Sequence, residues 1–124
     1  SLTLRLVGHD FPADRQVVQA AMLGHAHDMQ RLVLAVALLD YDEAAQLARN
    51  LGDRPIFPEA LRERLRRAGL SSRFFKEADL LRRRAAALEA VAVMNFPQAL
   101  APAFGAVTES CVTCHSAYLG EVGR

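Results

Sequence analysis

The stretch Cys111-Val112-Thr113-Cys114-His115, near the end of the 124-residue chain, decides the fold that we expect around it. Two cysteines separated by two residues, with a histidine directly after the second, form the C-x-x-C-H pattern of covalent c-type haem attachment. On a helix, both sulfur atoms leave the same face and can reach two vinyl groups on one edge of a porphyrin. The histidine is then directed toward the iron. We therefore expect one covalent haem c, linked through Cys111 and Cys114, with His115 as an iron ligand.

Two neighbouring cysteines also occur in zinc sites, redox dithiols and structural disulfides. Zinc normally takes four protein ligands, and the chain has no second cysteine pair. A redox dithiol of the thioredoxin kind belongs to a βαβ unit, and the sequence shows no pattern for one. Haem attachment is therefore the favoured interpretation, with these three uses as its alternatives.

Length and composition indicate a single helical domain over residues 1–124. Aromatic residues make up 6% of the chain and tryptophan is absent, which favours helices over β-rich structure. The net charge of +1 gives no reason to expect nucleic acid or an anionic membrane as a partner. The longest apolar run, 32–39, is too short to span a bilayer, so we expect no membrane span.

The first residues, 1–9, predict an irregular lead-in and carry no targeting signal. They lack a basic start, a long apolar stretch and a small-residue cleavage site. Covalent c-type haem is assembled outside the cytoplasm, in bacteria on the periplasmic side. We therefore expect a bacterial periplasmic protein from which a signal peptide has already been removed.

Apolar residues recur at three- and four-residue steps in four long segments, each of which predicts an amphipathic helix. These segments run from about Asp10 to Asp40, from Asp42 to Leu51, from Arg73 to Met94 and from Gln98 to Leu119, with a short helix from Phe57 to Ala68 between the second and the third. Long helices with short connections predict an all-α protein, an antiparallel four-helix bundle whose cofactor site is built from inward side chains.

Two stretches of these helices carry a specific expectation. Pro102 is awkward, because a proline inside a helix removes a hydrogen bond and crowds the preceding turn. Either the last helix begins near Ala101 or it bends there. The run 32–39 is apolar on all sides, so we expect this end of the first helix to be covered on more than one side.

A haem motif in the last helix of such a bundle resembles the cytochrome c′ family, including its low-spin, methionine-ligated relatives. The resemblance covers roughly residues 12–120. The residues that carry it are Arg15-Gln16, Met22, Met29 and Tyr41-Asp42, followed by Phe104-Gly105-Ala106-Val107 and the block from Cys111 to Tyr118. It implies a haem held between the first and last helices, bonded to Cys111 and Cys114, with His115 as the proximal ligand.

The resemblance also implies a function. Members of the family carry electrons in the periplasm or bind small gases such as nitric oxide at an open distal face, and many are dimers that pack through their first two helices. We therefore expect a monohaem cytochrome that passes single electrons to redox partner proteins, with a homodimer of that kind as a further expectation. The alternative is a five-coordinate haem protein that binds nitric oxide or carbon monoxide. The sequence shows no acid–base pair or nucleophile constellation, so we do not expect an enzyme.

The sixth position of the iron has three candidates on the first helix. Alignment with the family on Arg15-Gln16 places Gln19 above the iron, where an amide would donate a hydrogen bond to bound ligand or water. Met22, one turn later, would either coordinate the iron through its thioether or pack beside the porphyrin. His25 is the third candidate, and the two other histidines before residue 30 are expected to be solvated.

Charged residues around the haem give weaker indications. Arg15 and Gln16 would lie near the haem edge in this resemblance, where arginine pairs well with a propionate, although a solvated arginine is the alternative. Leu119 stands where family members usually have a basic residue, which argues against gas chemistry on the proximal side. The arginine runs 62–67 and 82–84 predict a basic face for an acidic redox partner, unless the interspersed glutamates cancel it.

Overall fold

The computed structural model describes residues 12–53 and 57–122, with side chains described for 16–53 and 57–116. It contains five helices: α1 (Pro12–Ala37), α2 (Tyr41–Gly52), α3 (Glu59–Arg67), α4 (Ser72–Val93) and α5 (Pro97–Val122). No strand occurs in these residues, so the predicted all-α class is confirmed. None of the helices in the described part combines the length and the apolarity that a membrane crossing needs. The expected lead-in at 1–9 lies outside the described residues.

α1 ends earlier than the sequence pattern predicts, because the following residues start the next helix. The carboxylate of Asp40 accepts a hydrogen bond from the backbone N–H of Glu43 at 3.2 Å and so caps the N-terminus of α2. Leu39, just before it, adopts a left-handed backbone with φ 55° that reverses the chain. The expected end of the first helix at about Asp40 is therefore too late.

α5 is one continuous helix that contains the whole C-x-x-C-H motif. It begins at Pro97 and continues through Pro102. Proline is tolerated at the first position because the backbone N–H there would have no acceptor within the helix. The start predicted at about Gln98 is therefore confirmed to within one residue, and the alternative start near Ala101 is wrong. Farther along, the Thr113 hydroxyl donates a hydrogen bond to the carbonyl of Glu109 at 2.8 Å.

Polar contacts show that neighbouring long helices run in opposite directions. α1 and α2 are joined by a short turn, as are α4 and α5. Polar contacts link α1 to α2, α2 to α4, and α4 to α5. These contacts are Arg31–Glu43 between α1 and α2, Arg49–Glu89 and Arg82–Gly52 between α2 and α4, and Arg84–Ser110 between α4 and α5. α4 packs closely on both α2 and α5, whereas α1 lies mainly on α2 and touches α5 only lightly.

The buried side chains form two clusters. The first, called the leucine core below, joins α1, α2, α4 and α5 and includes Leu32, Leu47, Leu51, Leu81, Leu88, Leu100 and Val107. The second, the phenylalanine core, includes Val18, Phe57, Leu61, Leu65, Phe74, Phe75 and Cys114. The apolar positions of α2 and α3 that recur at helical spacing are buried, namely Ala44, Ala45, Leu47, Ala48 and Leu51 of α2 and Leu61 and Leu65 of α3.

The apolar run 32–39 is not enclosed in this structure. Leu32 is fully buried, but Leu34 is 64% exposed and Leu38 is 76% exposed. The expectation that this end of the first helix is covered on more than one side is therefore wrong for a single chain. A contiguous apolar strip of this kind is typical of a surface that meets another molecule.

Candidate functional site

One pocket between α1, α4 and α5 brings together most of the residues that the sequence singles out. It is lined by Met22 and His25 of α1, by Phe57, Phe74 and Leu81, and by Cys111, Cys114 and His115 of α5. The pocket is small, with a cavity volume of about 20 Å³, and its walls are mostly apolar. The three chemically reactive residues of the motif thus share one site with two side chains of α1.

The two cysteines lie where the two cores meet. Cys114 is buried, with 6% of its surface exposed, and belongs to the phenylalanine core. Cys111 is half-buried and packs against the leucine core. Both thiols are free and both line the pocket, so the shared face that their three-residue spacing predicts is observed.

A contact from α4 fixes α5 directly before the motif. Ser110 is fully buried, and its hydroxyl accepts a hydrogen bond from Nη1 of Arg84 at 3.0 Å. The same guanidinium nitrogen donates to the carbonyl of Ala106 at 3.1 Å. Because these acceptors are adjacent on one side of α5, the arginine sets the rotation of the helix where Cys111 begins the motif.

Burial keeps both thiols protonated. It raises the pKa of Cys111 above its usual value. For Cys114, burial together with the charges of Cys111 and Glu77 raises the pKa to about 12. Cysteines that act in redox exchange have lowered pKa values, so this environment does not suit a redox dithiol.

The two histidines of the pocket are held in the form that binds metal. Burial lowers the pKa of His115 below its usual value. Burial also lowers the pKa of His25, and nearby His115 adds to this effect, while the carboxylate of Asp28 opposes it. A neutral imidazole keeps a nitrogen lone pair available for coordination.

The inward side of α1 packs against the phenylalanine core in its first half and against the leucine core in its second half. Val18 and Leu32 are fully buried at its two ends. Between them, Met22 is half-buried against the phenylalanine core and Met29 is half-buried against the leucine core. His25 lies between the two methionines, at the level where the cores meet.

Two other residues that the family resemblance implies, Gln16 and Gln19, are not among the described residues that line the pocket. Gln19 is half-buried on α1 but is not among the described residues that line the pocket. Gln16 is exposed. The side chain of Arg15 lies outside the described side chains, so its expected pairing with a propionate stays a prediction, as does the expectation for Leu119.

Sequence reasoning missed Phe57 as a pocket residue. Its ring is buried and stacks on the ring of Phe74, with the centroids 5.9 Å apart, so the two aromatic rings form one wall. Phe74 and Leu81 are apolar positions of α4 and line the pocket from that helix. The available signal was Pro58, which restricts the residue before it to extended backbone and so holds Phe57 in place.

The arginines of the predicted basic face are largely paired. Arg62 donates to the carboxylate of Asp79, with 3.1 Å between the closest atoms, and Arg66 and Arg67 both contact Glu63. Arg82 donates to the carbonyl of Gly52. The expected cancellation by acidic side chains is therefore observed for Arg66 and Arg67.

The side chains that the structure describes include no group of three or more histidine, cysteine, aspartate or glutamate residues placed to hold a metal ion. A protein-only zinc site finds no four-ligand donor set among them. Haem requires fewer protein ligands than zinc, since the porphyrin supplies four nitrogen atoms and the protein adds only axial ligands. The side chains of the pocket can supply that smaller number of ligands.

Comparisons with protein-family models, with curated proteins and with solved structures give no match for this chain. The resemblance to the cytochrome c′ family therefore depends on the C-x-x-C-H motif, its position in the last helix and the weaker matches in the first helix. The chemistry of the pocket has to be argued from its own residues.

Proposed function

We propose that this protein is a monohaem c-type cytochrome that transfers single electrons, with a haem held between α1 and α5. The observation that supports it is the one pocket in which all three reactive residues of the C-x-x-C-H motif meet two side chains of α1 that can bind iron. In this proposal α1, α2, α4 and α5 are the four members of an antiparallel bundle. α3 closes the end of the bundle that contains the phenylalanine core.

Each residue of the pocket has a chemical role in the proposal. Haem, when bound, supplies a one-electron couple between ferric and ferrous iron. Cys111 and Cys114 would hold it through thioether bonds, for which each thiol adds across a vinyl group, and His115 would bind its iron. The buried rings of Phe57 and Phe74 exclude water, and a dry environment of low polarity tunes the reduction potential.

The packing of α1 is consistent with this placement. A porphyrin needs more room than the pocket offers, so one wall of the pocket has to give way. α1 touches α5 only lightly, whereas α4 and α5 are tightly packed and joined by the Arg84 hydrogen bonds. In the proposal, α1 would therefore shift to admit the ring, while α4 and α5 would keep the motif in place.

The pocket favours electron transfer over the gas-binding alternative. A gas-binding haem protein leaves the sixth position of the iron open, with a side chain nearby that cannot coordinate it. Here both Met22 and His25 line the pocket and both can coordinate iron. Iron with two protein ligands exchanges electrons with little rearrangement and resists small ligands.

Location and partners follow from the same proposal. Covalent c-type haem is attached on the periplasmic side in bacteria, so we place the protein in the bacterial periplasm, where redox partner proteins would exchange electrons with it. The exposed leucines Leu34 and Leu38 at the end of α1 support a homodimer through the first two helices, because a second copy would cover these side chains.

The test of the proposed function is a spectroelectrochemical titration of the haem-loaded protein. We expect one reversible one-electron step and a sharp, split α band in the ferrous state that carbon monoxide does not change. The control is a chain with both Cys111→Ser and Cys114→Ser, which should carry no covalent haem. A broad ferrous spectrum that shifts with carbon monoxide would contradict electron transfer and support the gas-binding alternative.

A further inference from the structure

We propose that a second cavity, distinct from the pocket of the haem motif, binds a small organic molecule through a phosphate or carboxylate group. This cavity, called the arginine cleft below, lies between the end of α2, the start of α3 and the middle of α4, and its volume is about 750 Å³. Cavities of about 300–1,000 Å³ are typical of small-molecule sites. The inference goes beyond the proposed function, because no residue of the haem motif is among the described residues that line the cleft.

Two small residues leave room in the cleft where α2 meets α4. Gly52, the last residue of α2, lies close to α4, since a Cβ atom added to it would be 3.6 Å from the backbone nitrogen of Ala86. Both residues line the cleft, and Ala86 is exposed. Neither has a side chain larger than a methyl group, so the space between the helices stays open at this point.

Charged side chains line the cleft on two helices. α4 supplies Asp79, Arg82 and Arg83, which follow one another at three- and four-residue steps and so share one side of the helix. α3 supplies Glu59 and Arg62 from its first turns. Three arginines against two carboxylates leave an excess of positive charge, and a concave surface strengthens the attraction that such a charge exerts on an anion.

Two of these arginines are held in place by other parts of the protein. Nη1 of Arg62 donates to the carboxylate of Asp79 at 3.1 Å, and the guanidinium lies 5.2 Å from the centre of the Phe75 ring. Nε of Arg82 donates to the carbonyl of Gly52 at 3.2 Å. Asp79 balances the charge of Arg62, whereas a carbonyl leaves the charge of Arg82 unbalanced. The terminal nitrogens of Arg82 make no hydrogen bond to any other residue that the structure describes.

Arg83 is the second arginine whose charge is not balanced. It is exposed, and it has no ion pair or hydrogen bond within the described part of the chain. Glu59, also exposed, is the one cleft carboxylate that Arg62 does not neutralise. A guanidinium group binds a phosphate or a carboxylate through two parallel hydrogen bonds. Arg82 and Arg83 together therefore suit an anionic group, and the rest of the cleft accommodates the molecule that carries it.

The same residues belong to the basic face for which the sequence predicts an acidic redox partner. On that face Arg66 and Arg67 both contact Glu63, so little of their charge is left for a partner. The unbalanced arginines lie in a cleft, and a cleft fits a small molecule better than it fits the broad surface of a protein.

The experiment is isothermal titration calorimetry of the full-length protein at low ionic strength with inorganic pyrophosphate, with citrate and with spermidine. We expect at least one of the two anions to bind once per chain, and the anion that binds distinguishes a phosphate ligand from a carboxylate ligand. Arg83→Ala should weaken this binding about tenfold or more, because charge-assisted hydrogen bonds are lost. The matched control is Arg73→Ala, which removes an equal charge from an exposed position of α4 outside the cleft and should leave the affinity unchanged.

Two further variants test the shape and the sign of the site. Ala86→Leu should fill the open part of the cleft and weaken binding without any change of charge, whereas Ala87→Leu, at the next exposed position of α4, should not weaken it. Glu59→Gln should strengthen the binding of the anion, because it removes the unpaired negative charge of the cleft.

Three results would overturn the proposal. The first is a wild-type protein that binds neither pyrophosphate nor citrate, and the second is one that binds spermidine instead. The third is an equal loss of affinity in Arg83→Ala and Arg73→Ala, which would show that the anion is attracted by the overall charge and not by the cleft.

Discussion

Leu81→Ala and Leu88→Ala are a matched pair of changes that separates the wall of the pocket from ordinary core packing. Both leucines lie on α4, both belong to the leucine core, and they are 2% and 0% exposed. Of the two, only Leu81 is among the described residues that line the pocket. The two changes should therefore cost similar stability but differ in their effect on the haem.

The expected loss of stability follows from the carbon atoms removed. Alanine lacks three of the carbon atoms of leucine, which at about 0.8 kcal/mol for each buried CH₂ amounts to about 2.4 kcal/mol. The cavity left in a fully buried site brings the loss of unfolding free energy to about 3–4 kcal/mol. For a domain of this size that lowers the melting temperature by roughly 10–15 °C.

The assay is guanidinium unfolding followed by far-ultraviolet circular dichroism. It can be made on the haem-loaded protein, because a thioether-linked haem stays attached to the chain on unfolding. Circular dichroism in the Soret region reports on the surroundings of the haem in the same samples. We expect Leu81→Ala to change the Soret signal and Leu88→Ala to leave it unchanged. Equal Soret changes in both variants, or a loss below about 1 kcal/mol for Leu88→Ala, would refute the reasoning.

Two further predictions concern the helix contacts and the exposed strip. Arg84→Ala removes the hydrogen bonds to the hydroxyl of Ser110 and to the carbonyl of Ala106, so it should lower the unfolding free energy by about 1–2 kcal/mol in urea titrations. The exposed Arg83→Ala should have almost no effect, and equal losses would argue against the contact. Leu34→Glu should convert a dimer to a monomer in sedimentation velocity, because it puts a charge on the exposed strip of α1, while Ala87→Glu on α4 should not. A wild-type protein that is already monomeric would contradict the homodimer.

Features that depend on short stretches of chain were predictable from the sequence. The positions of the helices follow from apolar spacing, and the common face of Cys111 and Cys114 follows from helix geometry. The end of α1 was misjudged because Leu38 and Leu39 continue the apolar run. Periodicity does not show that Asp40 is committed to capping the next helix.

Features that depend on contacts between distant segments were not predictable. Pro102 is a local breaking signal and suggested a start or a bend near Ala101, whereas Leu100 and Val107 are buried and hold the helix together on both sides of it. Phe57 was missed for a similar reason, because its place in the pocket depends on its packing against Phe74 of α4.

The measurement that bears most directly on the proposed haem protein is the intact mass of the denatured chain, made in a bacterium able to assemble c-type haem and then treated with a thiol-alkylating reagent. We expect the mass of the polypeptide plus one haem, with no alkylation, because both sulfur atoms of Cys111 and Cys114 are then in thioether bonds. A chain without added haem, in which both cysteines are alkylated or joined in a disulfide, would contradict a haem at this site.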